Sequence, residues 1–334
     1  MTTPVPQGRF RIAGTGRALP ATRVTSDDLD RLHGFAHGFV ERASGVASRY
    51  FCGQESQIDL GAAAARKALK AAGVEPGDVD LIICAAAVPY QPIPATAPAI
   101  QRALGIADGA CFATDINCTC LGFPAALEFA NGLCRADGYA TILVVSSEVA
   151  SRGLPWTAQP DVAGLFGDGA AAAVLKAQPE PSRFVARFET HSSAYDHCAL
   201  ASGGTRFDFE REPEPFAAHS RFAMDGRELF RITAKHFAPF VQRLLSSADA
   251  TPDSIDLVVP HQASPGALAH MIRACGFPSE RVVDISREVG NQIAASIPFA
   301  LDHARERGLL KRGDRIAMLG TSAGVSFGGI VMDY

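Results

Sequence analysis

No apolar run in this chain approaches the ~20 residues that a membrane-spanning helix needs, so no membrane partner is expected. There is no basic excess: 31 Lys and Arg stand against 35 Asp and Glu, a net charge of −4, which speaks against nucleic acid as a partner. The first nine residues, Met1 to Arg9, lack the apolar core of a secretion signal. A cytoplasmic location follows as the expectation, with the eight cysteines (52, 84, 111, 118, 120, 134, 198 and 275) as reduced thiols. Cys118-x-Cys120 has no second cysteine or histidine cluster at zinc-like spacing, so no metal is expected. What is present is 334 residues, 47% hydrophobic and 20% charged, a globular composition with chain enough for about two domains.

Cys120 is the most informative residue. It follows Asp115-Ile116-Asn117-Cys118-Thr119 and precedes Leu121-Gly122-Phe123, where a short apolar stretch gives way to the helix-like run Pro124 to Ala130. Proline is tolerated that early because the first amides of a helix have no intrahelical partner. A cysteine there faces free N–H groups and the positive end of the helix dipole, both of which favour the nucleophilic thiolate. Two later segments add weight. His261 stands where the apolar run Val258-Val259-Pro260 ends, and Asn291 stands just before another helix-like run. Strand ends and loops are where an α/β scaffold presents its chemistry.

The chain also repeats itself. Asp80-Leu81-Ile82-Ile83 resembles Asp256-Leu257-Val258-Val259, an offset of 256 − 80 = 176. Thr141 to Ser147 resembles Arg315 to Thr321, an offset of 315 − 141 = 174, and Gly167 to Leu175 parallels Ser322 to Val331. One near-constant offset implies an internal duplication, with halves at 1–178 and 179–334. Periodicity and punctuation predict helices over 58–72, 94–104, 225–245, 265–275 and 294–307, the last mirroring the helix that Cys120 opens. Residues 178–222, with four prolines, read as an irregular joining segment. Gly14-x-Gly16 reads as a strand end, Gly167-Asp168-Gly169 as a structural turn, and His191 and His197 as solvated loop histidines.

Taken together, these residues resemble the thiolase superfamily, specifically its ketoacyl-acyl carrier protein synthase III branch. Seven motifs in family order carry the resemblance. They are Arg11-Ile12-Ala13-Gly14-Thr15-Gly16, Ser44-Gly45-Val46 with Arg49-Tyr50, the Asp115 to Phe123 box, Leu165 to Ala170, Met224 to Glu228, Pro260-His261-Gln262-Ala263, and Gly290-Asn291. The resemblance implies a duplicated thiolase-like α/β fold, an α-β-α-β-α layered sandwich with two mixed sheets, in a homodimer. It implies that Cys120 takes an acyl group from acyl-CoA and holds it covalently. The amides of Cys120 and Gly324 would form the oxyanion hole. His261 and Asn291 would bind the thioester carbonyl of malonyl-acyl carrier protein or malonyl-CoA as charge builds on it. Ile93 falls where the family places a tunnel-base residue contributed across the dimer. Arg231 and Arg273 fall at carrier-protein docking positions. No cofactor beyond the substrates is implied.

The chain departs from the family at several places. Gly266 stands in place of a docking arginine, Phe39 in place of a tryptophan that stacks on adenine, and Ala43 in place of an arginine, with Arg42 adjacent. The closing loop Gly320-Thr321-Ser322-Ala323-Gly324-Val325 is less glycine-rich than usual. These changes bear on fatty-acid initiation, not on acyl-thioester chemistry. Three alternatives stand beside decarboxylative condensation. One is acyl transfer to an alcohol or amine, which has no need of the His261/Asn291 pair. Another is non-decarboxylative condensation of acyl-CoA. The third is an inactive partner subunit, which the intact Cys120 opposes.

Overall fold

The computed structural model describes residues 7–134 and 138–334. The first half contains β1 (Gln7–Ala18), β2 (Thr22–Thr25), α1 (Ser26–His33), α2 (Phe39–Ser44), β3 (Ser48–Phe51), α3 (Gln57–Ala72), β4 (Leu81–Cys84), α4 (Thr96–Leu104), β5 (Phe112–Asp115), α5 (Gly122–Leu133), β6 (Thr141–Glu148) and α6 (Pro160–Ala163). Then come β7 (Gly169–Thr190), β8 (Cys198–Ala199), α7 (Pro213–Ala218), β9 (Ala223–Met224), α8 (Gly226–Ser247), β10 (Leu257–Pro260), α9 (Pro265–Cys275), α10 (Ser286–Val289), α11 (Ser296–Glu306), β11 (Arg315–Ser322) and β12 (Ser326–Asp333).

Three buried clusters mark the layers. One joins α3 and α4 to the outer face of the first-half strands. A second lies in the middle, where Phe123, Ala126 and Leu127 of α5 meet Ile297, Ala300 and Leu301 of α11 between the strands of both halves. The third packs Phe240, Val241 and Leu244 of α8 on Val331 and Phe327 of β12. Helix, sheet, helix, sheet, helix is the layered order expected. Small side chains let the layers close. Alanines fill β7 over 170–173, all fully buried, as a strand covered on both faces requires.

The strand order is β5-β4-β6-β7-β1 in the first half and β10-β11-β12-β7 in the second. Both are mixed: β4 runs parallel to β5 and β6, and β10 parallel to β11, while the other pairings are antiparallel. The two sheets are not separate. β7 spans 22 residues; its first part pairs with β6 and β1, and Phe184 to Thr190 pair with β12. Its second part thus stands beside β12 as β1 stands beside its first part, and the expected boundary at 178/179 falls inside this strand.

Residues 178–190, expected to be irregular, are therefore strand. Pro179 and Pro181 fall where the β1 register skips from Ala177 to Ser182, a bulge that needs no ladder donor. Gly14 and Gly16 lie inside β1 rather than at its end, because α3 crosses directly above them. A Cβ on Gly14 would sit 2.4 Å from the Ala72 amide nitrogen, and one on Gly16 2.5 Å from that of Ala68. Among the described residues, no helix is long and apolar enough to cross a membrane.

Candidate active site

Cys120 lies in a single 3₁₀ turn, Thr119–Leu121, that leads into α5. The turn is set by Asn117, whose Oδ1 accepts the Thr119 N–H at 2.9 Å and whose Nδ2 donates to the Ala87 carbonyl at 2.9 Å. Thr119 is held at φ 46°, in the left-handed region where a β-branched residue is strained. Cys120 keeps partial exposure. Burial nonetheless pushes its thiol well above the usual range, with smaller contributions from Cys198 and Glu148 nearby. This corrects the expected thiolate. A helix terminus supplies at most about 2 kcal/mol, whereas deep burial shifts a pKa by up to 3–5 units. At Cys120 burial outweighs the helix start and favours the thiol form. Burial raises Cys118 as well.

His261 follows β10, its N–H bonded to the Leu319 carbonyl at 2.7 Å. Gln262 pins the loop: its Nε2 donates to the Pro260 and Val283 carbonyls and its Oε1 accepts the Ile285 N–H at 2.9 Å. The His261 ring is 5% exposed, its Nδ1 has no hydrogen-bond partner, and burial alone pushes its pKa down to about 4. Such an imidazole is neutral at pH 7 and can offer a donor or a proton acceptor, not a cation. Gly320 separates it from the Cys120 turn, since a Cβ there would meet His261 Cβ at 3.0 Å and Leu121 Cδ2 at 3.1 Å.

Asn291 is fixed by its main chain. Its N–H donates to the Leu165 carbonyl at 2.8 Å and its carbonyl accepts the Gly167 N–H at 3.1 Å. Its Oδ1 accepts the Ile293 N–H at 2.8 Å, while its Nδ2 has only a long 3.4 Å contact to the Ala263 carbonyl. Gly167-Asp168-Gly169 is structural, but as an extended lead into β7 rather than the expected turn: Asp168 takes the Cys52 and Ser151 N–H groups, each at 2.8 Å. The 3₁₀ turn Ile293–Ala295 that follows Asn291 packs on the Cys120 turn. Cys120, His261 and Asn291 are thereby brought to one place at the strand ends.

Of the remaining expected residues, Ile93, Arg231 and Arg273 lie on the surface. Gly324 is at the tip of the β11–β12 hairpin with φ 128°. Ile93 is 87% exposed in the loop before α4. Arg231 and Arg273 are exposed on α8 and α9, and Arg231 pairs with Glu228 at 2.7 Å. A cavity of about 640 Å³ is lined by Ala43, Asp161, Asp196, His197, Asp225 and Arg227 among others, so His197 lines a concavity and is not simply a solvated loop histidine. Arg42 donates to the His37 carbonyl at 3.0 Å. Phe39 ends an aromatic row, its ring 5.0 Å from Phe35, which stacks on His33 and through it on Trp156. The grouping Asp27, Asp30 and His37 offers metal-type ligands, but Asp30 is committed to the Gly38 and Val40 N–H groups.

Glu148 has no sequence signal, since a carboxylate ending an apolar strand reads as its solvent-facing end. In the fold it is 1% exposed, accepts the Ala87 N–H at 2.6 Å, and is pushed up to about 8 by burial.

Residues 114–194 match the family model described as 3-oxoacyl-[acyl-carrier-protein (ACP)] synthase III, and residues 245–334 match the model of its C-terminal part. The beta-ketoacyl-[acyl-carrier-protein] synthase III of Rhizorhabdus wittichii is 35% identical, over 98% of this chain and 99% of its own. That of Neisseria meningitidis is 33% identical over 97% and 99%. The crystal structure of 3-oxoacyl-[acyl-carrier-protein] synthase III from Aquifex aeolicus superposes with a TM-score of 0.86 at 28% identity, covering 98% of this chain and all of the other. The priming β-ketosynthase of the R1128 polyketide pathway does so with 0.87 at 27%, covering 99% and 98%.

Proposed function

We propose that this chain, which belongs to the 3-oxoacyl-[acyl-carrier-protein] synthase III family of thiolase-fold condensing acyltransferases, works through Cys120, His261 and Asn291 in two half-reactions. In the first, the Cys120 sulfur attacks the carbonyl of an acyl-CoA; its proton leaves with the departing CoA thiol and an acyl-cysteine remains. The amides of Cys120 and Gly324 steady the tetrahedral oxyanion. In the second, a malonyl thioester on acyl carrier protein or CoA loses CO₂. The resulting carbanion attacks the acyl-cysteine, releasing a β-ketoacyl thioester and the Cys120 thiolate, which takes up a proton from water to restore the thiol.

The observation that carries this reading is the spare hydrogen-bonding capacity of Asn291 and His261. The Asn291 Oδ1 is spent on Ile293 while its Nδ2 has only a 3.4 Å partner, and the His261 ring is neutral. Two uncommitted donors serve an enolate-like oxygen better than its ground-state carbonyl. Simple acyl transfer gives this pair no task.

The partners follow the same reading. Ile93, Tyr90 and Phe112, all at least 49% exposed, support a homodimer with Ile93 reaching the partner's acyl tunnel. The exposed Arg231 and Arg273 support an acidic carrier protein as a docking partner. The eight free thiols suit a reducing cytosol, and the chemistry needs no cofactor beyond its substrates. The halves 1–178 and 179–334 supply the nucleophile and the His–Asn pair respectively.

Intact mass after incubation with acetyl-, hexanoyl- and aromatic acyl-CoA tests the first half-reaction. Release of CO₂ from malonyl-carrier protein or malonyl-CoA by the acylated protein tests the second. An adduct that forms but is discharged by amines or alcohols, with no CO₂ released, would overturn condensation in favour of transfer.

A further inference from the structure

Glu148 is a buried acid that neither half-reaction uses. It ends β6, and its carboxylate accepts the Ala87 N–H at 2.6 Å, with the backbone N–H groups of Val88 and Ala294 close enough to favour its charged form and the Ile293–Ala295 turn packed against β6. These groups belong to two different turns. On one side, the Ala87 carbonyl accepts from Asn117 Nδ2, and Asn117 Oδ1 accepts the N–H of Thr119, the residue before Cys120. On the other side, Ala294 follows Ile293, whose N–H is bonded to Asn291 Oδ1. One carboxylate therefore spans from the loop that braces the nucleophile turn to the turn that carries Asn291. Gly122 shows how closely these parts meet, since a Cβ there would lie 3.1 Å from the Ala85 carbonyl oxygen and 3.4 Å from Ala294 Cβ.

We propose that Glu148 is a positioning residue for the reaction, holding the Cys120 turn and the Asn291 turn in register and tuning the Cys120 thiol through its charge. The titratable groups that face it are Asp168 at the start of β7, Cys84 on β4 and Cys120. Cys84 is buried and stays a thiol, since its pKa is raised well above the usual value. Asp168 is raised too, but it keeps three donors from Cys52 and Ser151. Glu148 itself titrates near pH 8, above the ordinary carboxylate range. When it ionises, its charge opposes a second negative charge on the Cys120 sulfur. Below that pH it is neutral and the opposition is absent. The proposal rests on the Cys120 assignment, but the alkylation test below needs no substrate and so stands or fails separately from it.

The test is the pH profile of Cys120 alkylation by iodoacetamide, mapped by peptide mass, in wild type, Glu148→Gln and Glu148→Ala. Gln keeps an oxygen for the backbone donors and removes the charge. Its alkylation rate should match wild type below pH 7 and exceed it at pH 9 by roughly threefold or more, given that a tenfold change in thiolate is one pH unit of pKa. Ala removes the brace. It should slow both acylation by acyl-CoA and malonyl-dependent CO₂ release, with Gln restoring both at pH 7. Superimposable wild-type and Gln profiles overturn the proposal. So does an Ala variant that folds and keeps both half-reactions at wild-type rates. If Ala does not fold, the Gln profile alone decides.

Discussion

Asn117 and Asn291 make the same turn twice, 291 − 117 = 174 residues apart. Each Oδ1 accepts the N–H two residues on, from Thr119 at 2.9 Å and from Ile293 at 2.8 Å. Both following residues are non-glycine residues at positive φ, 46° and 50°. The next position is Cys120 in one copy and Ala294 in the other. The two asparagines differ in their second amide atom: Asn117 Nδ2 is spent on Ala87 at 2.9 Å, whereas Asn291 Nδ2 has only the 3.4 Å contact. One copy braces the turn that carries Cys120; the other leaves its amide nitrogen nearly free.

Replacing Cys120 by Ala should abolish the covalent acyl adduct, while Cys118→Ala should keep it. Cys120 stands in the turn that opens α5, with its side chain beside Cys198 and Glu148. Peptide mapping of the adduct after acyl-CoA incubation is the measurement, and an acyl group found on Cys118 would falsify the assignment.

Asn291→Ala and His261→Ala should leave self-acylation measurable and depress condensation. Each lost donor should raise the barrier by about 2.7–4 kcal/mol, or ~10²–10³ in rate. Single-turnover acylation and malonyl-dependent CO₂ release separate the two steps. Equal losses in both steps would count against the division of labour.

Acid should weaken the fold through His261. Its folded pKa is about 4 against an ordinary value of 6.5. Between those values the unfolded chain binds a proton that the folded chain refuses. Stability therefore falls as pH drops from 6.5 to 4 and levels off below. For 6.5 − 4 units the loss is about 3 kcal/mol. Urea unfolding at pH 7 and pH 4.5 should show a smaller drop for His261→Gln than for wild type; equal drops would mean that His261 is not buried neutral.

Ile93→Phe should shorten the accepted acyl chain and Ile93→Gly lengthen it, in graded steps of ~1–3 kcal/mol per methylene. The residue sits between Pro92 and Pro94, which restrict the backbone and fix its depth. A competitive acyl-CoA assay with the same chain preference for Phe, Ile and Gly would dismiss the tunnel role, as would sedimentation as a monomer.

Gly14→Ala should destabilise the protein by about 3 kcal/mol, the upper end for overpacking, because the added Cβ meets backbone 2.4 Å away rather than a movable side chain. Denaturant unfolding checks this, and a cost below about 1 kcal/mol would mean that α3 yields easily.

Local chemistry was legible where it was written locally. Helix α9 runs Pro265–Cys275 as read, because Ser264 caps it, Pro265 starts it and Gly276 ends it at φ 73°. Cys120, His261 and Asn291 stood out because Cys120 and Asn291 stand just ahead of helix-like runs and His261 stands where an apolar run ends. What escaped depends on neighbours far away in sequence. Burial reverses the inference drawn from the helix start at Cys120. Gly14 and Gly16 answer to a helix some fifty residues later. Glu148 gains its meaning only from Ala87 and Ala294, which no spacing connects.

β7 has a consequence for motion. It is hydrogen-bonded to β6 and β1 along one part and to β12 along the other, so it is a beam common to both halves. Parting the half that bears Cys120 from the half that bears His261 and Asn291 would mean shearing those ladders. The protein therefore does not gape like a jaw to admit its substrates. Opening is expected in segments outside the β7 ladders, such as residues 86–95 and 200–222, and turnover should slow when those segments are stiffened, as by cross-linking, while the sheet stays as it is.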